Sequence, residues 1–196
     1  MSDHARLSPS AADRWVTCPG SVTLIESMPE DKRNSKSLAA DIGTAIHELS
    51  ERCLIEDVTP NFFLGRKIND ITIEEEHIEQ AEMYVNYINS LDGDLYVEQK
   101  VTLKDVVPDC YGTADALVCQ EGFLEVVDLK TGRYNVDPKM NRQMMIYALG
   151  AILEHDEIYR FDKVRLTIVQ PPAGGIKSWD VDIDTLWDFM DVLIDV

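Results

Sequence analysis

No apolar run in this 196-residue chain approaches the roughly 20 residues that a helix needs to cross a bilayer. Its first ten residues, MSDHARLSPS, also lack the basic-then-apolar order of a secretory signal. A cytoplasmic protein with no membrane partner is therefore expected. Cysteine is scarce: Cys18, Cys53, Cys110 and Cys119 are scattered along the chain. They are too few for the disulfide framework of a small secreted domain, and reduced thiols are expected. Basic residues are in short supply as well, with 18 Lys plus Arg against 36 Asp plus Glu and a formal charge of −18. That excess excludes loose, indiscriminate adhesion to DNA or RNA, because carboxylates repel phosphates. Internal repeats and low-complexity linkers are absent, so residues 1–196 are read as one domain. What is present is ordinary globular material: 45% hydrophobic and 28% charged residues can bury a core without staples.

The charge is unevenly placed. Glu74, Glu75, Glu76, Glu79 and Glu82 form one acidic run, and residues 180–196 carry six Asp and no base. Acids at helical spacing around Ile78, Met83, Tyr84 and Tyr87 read as the wet face of an amphipathic helix. From Lys130 to Arg142, by contrast, Lys130, Arg133, Lys139 and Arg142 stand against Asp137 alone. A basic island survives in an acidic chain.

Periodicity divides the chain into helices and strands. Ser8-Pro9-Ser10 suits a helix start, and residues 11–16 run to a break at Cys18-Pro19-Gly20. Leu38, Ile42, Ile46, Leu49 and Cys53 follow helical spacing over 37–53, and a second long helix is expected over about 73–91. The period then changes to two, with Leu95, Val97, Val101 and Leu103 alternating with polar residues as in a half-buried strand. Strands are expected at 113–119 and 123–130, joined through Gln120-Glu121-Gly122. Asp137-Pro138 reads as an N-cap and first helical residue, opening a helix to about Leu153. Strands at 164–169 and 177–181 and a last helix from Asp184 complete a mixed α/β pattern. Trp15, Trp179 and Trp187 read as core or edge anchors, and His4, His77 and His155 as surface residues.

The chemistry gathers in the hairpin. If its turn is Glu121-Gly122, Gln120 pairs with Phe123 and the same register sets Asp115 opposite Asp128. Lys130, two residues on, shares the face of Asp128. Two carboxylates that close favour a cation between them, and oxygen ligands suit Mg²⁺ or Mn²⁺. A three-residue turn would shift the register and spoil the pairing, leaving Asp128 and Lys130 as an ordinary exposed ion pair. Further along, Gln143 and Tyr147 share a helical face at i and i+4, as do His47 and Glu51 upstream.

These residues resemble a known family. The series Gly43-Thr-Ala-Ile-His47, Gly112-Thr-Ala-Asp115, Glu125-Val-Val-Asp128-Leu129-Lys130-Thr-Gly132 and Gln143-Met-Met-Ile-Tyr147 is similar to the motif set of RecB-like nucleases in the PD-(D/E)XK superfamily. Leu7-Ser-Pro-Ser10, Arg14-Trp15, Cys18-Pro-Gly-Ser21 and Gln170-Pro171 extend the likeness to a phage and prophage branch of that group. The resemblance implies a restriction-endonuclease-like core, a central mixed β-sheet flanked by α-helices. It also implies a metal-dependent deoxyribonuclease, an exonuclease of phage recombination or replication in the bacterial host cytoplasm. The alternative is a catalytically silent nuclease-fold module that binds DNA or a host protein.

Roles follow from the same resemblance. His47, Asp115, Asp128 and the backbone carbonyl of Leu129 would hold Mg²⁺ or Mn²⁺, with Glu98 on the preceding strand and Glu51 as further candidates. Asp115, Asp128 and Lys130 would be catalytic, Lys130 orienting or activating water and stabilising charge on phosphate. Gln143 and Tyr147 would support the site and touch DNA. The flanking bases Arg133, Lys139 and Arg142 would contact phosphate where a helix N-terminus favours anions. Implied partners are a DNA substrate, a phage single-strand annealing protein and further copies of the chain. Several RecB-like nucleases hold an iron–sulfur cluster with one upstream and three downstream cysteines. Cys18 resembles the first of these, but none follows Cys119. No cluster is therefore expected, and the chain is read either as a fragment lacking a C-terminal Cys-containing segment or as a naturally shortened form without the cluster.

Overall fold

The computed structural model describes residues 5–29 and 37–196, so His4 lies outside the described residues. A 3-10 turn at Pro9–Ala11 leads into α1 (Ala12–Thr17), anchored by the fully buried Trp15, whose indole donates to the Ser8 carbonyl at 2.9 Å. Cys18-Pro19 ends α1, but a second short helix, α2 (Gly20–Glu26), follows at once. Pro19 sits at its N-cap with helical dihedrals, so the residue that reads as a break also pre-sets the next helix.

Helix α3 (Leu38–Glu56) starts where Ser37 accepts the Ala40 amide at 3.2 Å, and it runs nearly a turn beyond the expected end before Asp57 takes a left-handed conformation. A 3-10 turn (Pro60–Phe63) and a small hairpin, β1 (Lys67–Ile68) with β2 (Ile71–Thr72), separate it from α4 (Glu75–Asn89). Glu75, Glu76 and Glu79 face water and Ile78 and Tyr84 are buried, as the spacing predicts, but Met83 is exposed and Tyr87 half-buried, the buried face continuing instead through Ala81, Val85 and Ile88. His77 departs from expectation. It is buried, and its Nδ1 accepts the Glu74 amide at 3.1 Å, closing a capping box. His155 is buried too, its ring 4.6 Å from that of Tyr96.

Five strands form the central sheet in sequence order: β3 (Asp94–Thr102), β4 (Tyr111–Gln120), β5 (Gly122–Leu129), β6 (Phe161–Gln170) and β7 (Gly175–Val181). All neighbours are antiparallel except β5 and β6, whose parallel pairing is bridged by the crossover helix α5 (Arg142–His155). Helix α6 (Ile183–Ile194) completes the described chain. One core joins one set of helices to the sheet through Trp15, Met144, Met145, Leu149, Leu166 and Leu186; the other uses Ile46, Leu49, Tyr84, Val127 and Leu129. This mixed α/β sheet flanked by helices is the architecture expected from sequence. None of the described helices is long and apolar enough to cross a membrane.

The start of α5 corrects the sequence reading. Asp137-Pro138 does not open the helix; Asn141 caps it, accepting the Met144 amide at 3.2 Å. Asp137 instead accepts the Lys139 amide at 2.9 Å in a local turn, and Met140 reverses the chain at φ +54 before α5 begins. Asp-Pro is equally good chemistry for either event.

Candidate active site

Asp115 sits where the sheet loses its regularity. The β4–β5 register is the expected one, starting from Gln120↔Phe123, but regular pairing stops at Ala116↔Val127, one pair short of Asp115 and Asp128. Instead of a backbone partner, the Leu129 amide finds Asp115 Oδ2 at 2.7 Å. Residues two apart on a regular strand share a face. Here Ala114 packs into one core and Ala116 into the other, so the alternation slips at Asp115. Across the slip, between the regular pairs Val97↔Ala116 and Gln99↔Ala114, Glu98 adopts φ +49. A left-handed glutamate inside a strand is strained by roughly 1–3 kcal/mol, and such strain collects at functional sites.

Helix α3 brings the third group. A Cβ at Gly43 would lie 2.8 Å from Thr131 Oγ1, so glycine is what lets α3 press against the segment that follows Lys130. One turn along, His47 Nδ1 stands 3.4 Å from Asp115 Oδ1. Ligand atoms of His47, Glu98 and Asp115 all lie within 4.8 Å of one another. They border a cavity of about 10 Å³ together with Ser50, Glu51, Tyr84, Val97 and Leu129. That volume is on the scale of one small occupant.

Beside this group, Asp128 is almost wholly buried and bound from two sides. Lys130 Nζ lies 2.8 Å from Oδ2, and Gln143 Nε2 donates to Oδ1 at 3.2 Å. Gln143 also accepts from Lys130 Nζ at 3.0 Å, while its amide nitrogen lies 3.1 Å from the Tyr147 hydroxyl. The i, i+4 pair on α5 therefore does converge on the hairpin.

The electrostatics record crowded acids. Burial, then Asp115 and Glu51, push the Glu98 carboxyl up to about 7, against the opposing pull of His47. Burial and Asp115 likewise raise Asp128, against the pull of Lys130. For His47, burial works against the charged form, but Asp115 outweighs it and the imidazole is raised. Tyr84 is raised by burial and then by Asp115, Asp128 and Glu98. Its hydroxyl is buried and meets no hydrogen-bond partner among the described residues. A His nitrogen, two carboxylates and an orphaned hydroxyl around one small cavity fit a hard divalent cation and its water.

The other sequence candidates separate. Leu129 lines the cavity, and Glu51 lines both it and the larger opening beside it. Arg133 and Lys139 are exposed on the connection before α5. Arg142, expected at phosphate, is turned to the N-terminal helix, donating to Asp13 O at 3.1 Å and Thr17 Oγ1 at 2.7 Å. With the helix starting later, its side chain serves to fasten α1 to α5.

Two residues were given no role at the site by the sequence reading. Tyr84 looks like any apolar-face residue of α4, and nothing in the sequence marks its unpaired hydroxyl. Gln170 is fully buried and grips the segment after Lys130, donating to Gly132 O at 2.8 Å and Tyr134 O at 2.7 Å and accepting from the Val136 amide at 2.9 Å. A glutamine ending the apolar strand 164–169 was the available signal.

Among solved structures, one described as the crystal structure of SSO0001 is 13% identical, with 94% of this chain and 85% of that chain covered, at a TM-score of 0.33. That likeness is too slight to bear on fold or function. The sequence itself matches a family over residues 4–196, nearly its whole length, and the chain belongs to that family, described as "Protein of unknown function (DUF2800)".

Proposed function

We propose that the protein is a Mg²⁺- or Mn²⁺-dependent nuclease that hydrolyses phosphodiester bonds in DNA, an exonuclease of phage or prophage recombination or replication. The observation that carries this reading is the convergence of His47, Glu98 and Asp115 on one cavity, next to the buried Asp128–Lys130 pair. His47, Glu98 and Asp115 would hold the cation, with Leu129 beside them; when bound, it would acidify water and offset charge on the phosphate. Asp128 and Gln143 fix the position of Lys130, whose ammonium can orient the attacking water or meet the developing negative charge. Tyr147 steadies Gln143 through their 3.1 Å contact.

The test is digestion of end-labelled linear duplex, single strand and closed circle, side by side, with Mg²⁺ and with Mn²⁺. Degradation of linear DNA that is lost in Asp128→Ala and Lys130→Ala is expected. Unchanged activity in both purified variants would sink the proposal. A silent nuclease-fold module is the second reading, favoured by one observation: Asp128 is held by Lys130 and Gln143 and stands outside the three-ligand group. Divalent-ion binding by calorimetry separates the two, since a silent module needs none.

A further inference from the structure

Two openings flank the cluster, and they differ in charge. The first, about 460 Å³, has His47 and Glu98 on its wall with Glu48, Glu51 and Glu56; its one base, Arg52, is already paired with Glu48. The second, also about 460 Å³, has Tyr147 on its wall with Ser8, Ser10, Lys100, Tyr111 and Thr113 and no acid of its own; Lys100 and Tyr111 also border a neighbouring opening, where Lys104 stands with Asp105, Asp109 and Glu154. A polyanion is repelled by the first and tolerated by the second.

The second opening is also built. A Cβ at Gly112 would lie 2.8 Å from Pro9 Cγ and 3.2 Å from Tyr147 Cε1, so glycine alone lets the N-terminal segment and Tyr147 close on β4. Lys100 and Thr113 are cross-strand partners, and Lys100 Nζ lies 5.2 Å from the centre of the Tyr111 ring. A cation, hydroxyls and an aromatic ring in one concavity are the chemistry that holds a phosphate and an unstacked base. Tyr147 on this wall is hydrogen-bonded to Gln143, and Gln143 to Lys130, so two side-chain contacts link the opening to the catalytic candidates.

We propose that this opening is the subsite that receives the substrate strand, with Lys100 on a phosphate, Tyr111 against a base and the hydroxyls of Ser8, Ser10 and Thr113 along the backbone. The assignment rests on the nuclease reading above. It gives a use to the Leu7-Ser-Pro-Ser10 segment, which that reading leaves idle.

The experiment is fluorescence anisotropy of a short labelled single-stranded oligonucleotide with the full chain, in chelator so that no turnover intervenes. Tyr111→Ala should weaken binding about tenfold through lost stacking. Lys100→Gln, an exposed change with no bearing on folding, should flatten the plot of log affinity against log salt by roughly 0.7, the share of one phosphate contact on a single strand. Glu56→Gln, in the acidic opening, should leave affinity and slope as they are. Wild-type affinity and slope in both the Tyr111 and Lys100 variants would overturn the subsite and leave the nuclease reading standing. Absence of oligonucleotide binding by the wild-type protein would likewise overturn the subsite, whereas the nuclease reading stands or falls with the digestion experiment above.

Discussion

The two halves of the candidate site are satisfied to different degrees. Asp128 has its own amide on Oδ1, from Gln143, and its own cation 2.8 Å from Oδ2, Lys130, although Oδ2 meets no hydrogen-bond partner among the described residues; Lys130 and Gln143 are tied to one another and Gln143 to Tyr147. His47, Glu98 and Asp115 have a backbone amide and each other, with no lysine or arginine in the group and an unpaired tyrosine hydroxyl beside it. A self-sufficient network holds its shape on folding. A group with surplus acid is complete only when a cation joins it. Unequal satisfaction inside one cluster therefore separates the half that is fastened from the half that carries surplus acid beside a small cavity.

The largest break in that contrast should come from Asp115→Asn. The amide still accepts from the Leu129 N–H, so the hairpin is kept, while one of the two carboxylates in the group is lost. Calorimetric titration with Mn²⁺ should show binding reduced at least tenfold, and thermal unfolding without metal should change little. Retention of wild-type Mn²⁺ affinity would place the ion elsewhere.

Much of this site was legible in the sequence, and the missing parts share a cause. Period-two alternation and a two-residue turn place Asp115 and Asp128 at the end of a hairpin, and i, i+4 spacing places Gln143 with Tyr147 and His47 with Glu51. These are short-range rules, and they hold. What they miss is set by tertiary contact. The slip at Asp115 and the left-handed Glu98 break the alternation that strand reading assumes. Arg142 belongs to the basic island in sequence but to α1 in space. His77 and His155 look solvated in sequence, yet one closes a cap and the other packs on an aromatic ring. The charge of −18 likewise says less than its placement, since acids line one opening and are missing from the other.

A pH series sharpens the comparison at intermediate size. The Glu98 carboxyl is raised to about 7, chiefly by burial and then by Asp115 and Glu51. A raised acid holds its proton more tightly folded than unfolded, so its contribution to stability falls as pH rises from the unfolded value of roughly 4.3 through about 7. Asp128, raised for the same reasons, adds to that slope with the same sign. In chelator, the melting temperature should decline across this window; saturating Mg²⁺ should flatten the decline, and Glu98→Gln should remove part of it. A flat profile in chelator would show that the acids are not crowded.

The smallest effect, and the most diagnostic, is expected from Tyr84→Phe. The ring is buried in the same core as Ile78, Val85 and Ile88, and the substitution keeps the ring while deleting one hydroxyl. A buried hydroxyl without a partner is destabilising by roughly 1 kcal/mol or more, so the metal-free variant should melt slightly higher than the wild type. The cation-bound form should respond in the opposite sense, because the hydroxyl then has water of the ion's shell to bond and phenylalanine has none. Differential scanning calorimetry in chelator and in Mn²⁺ reads both. A gain in chelator that shrinks or reverses in Mn²⁺ ties Tyr84 to the ion, whereas an equal gain in both conditions leaves it a buried ring with a misplaced oxygen.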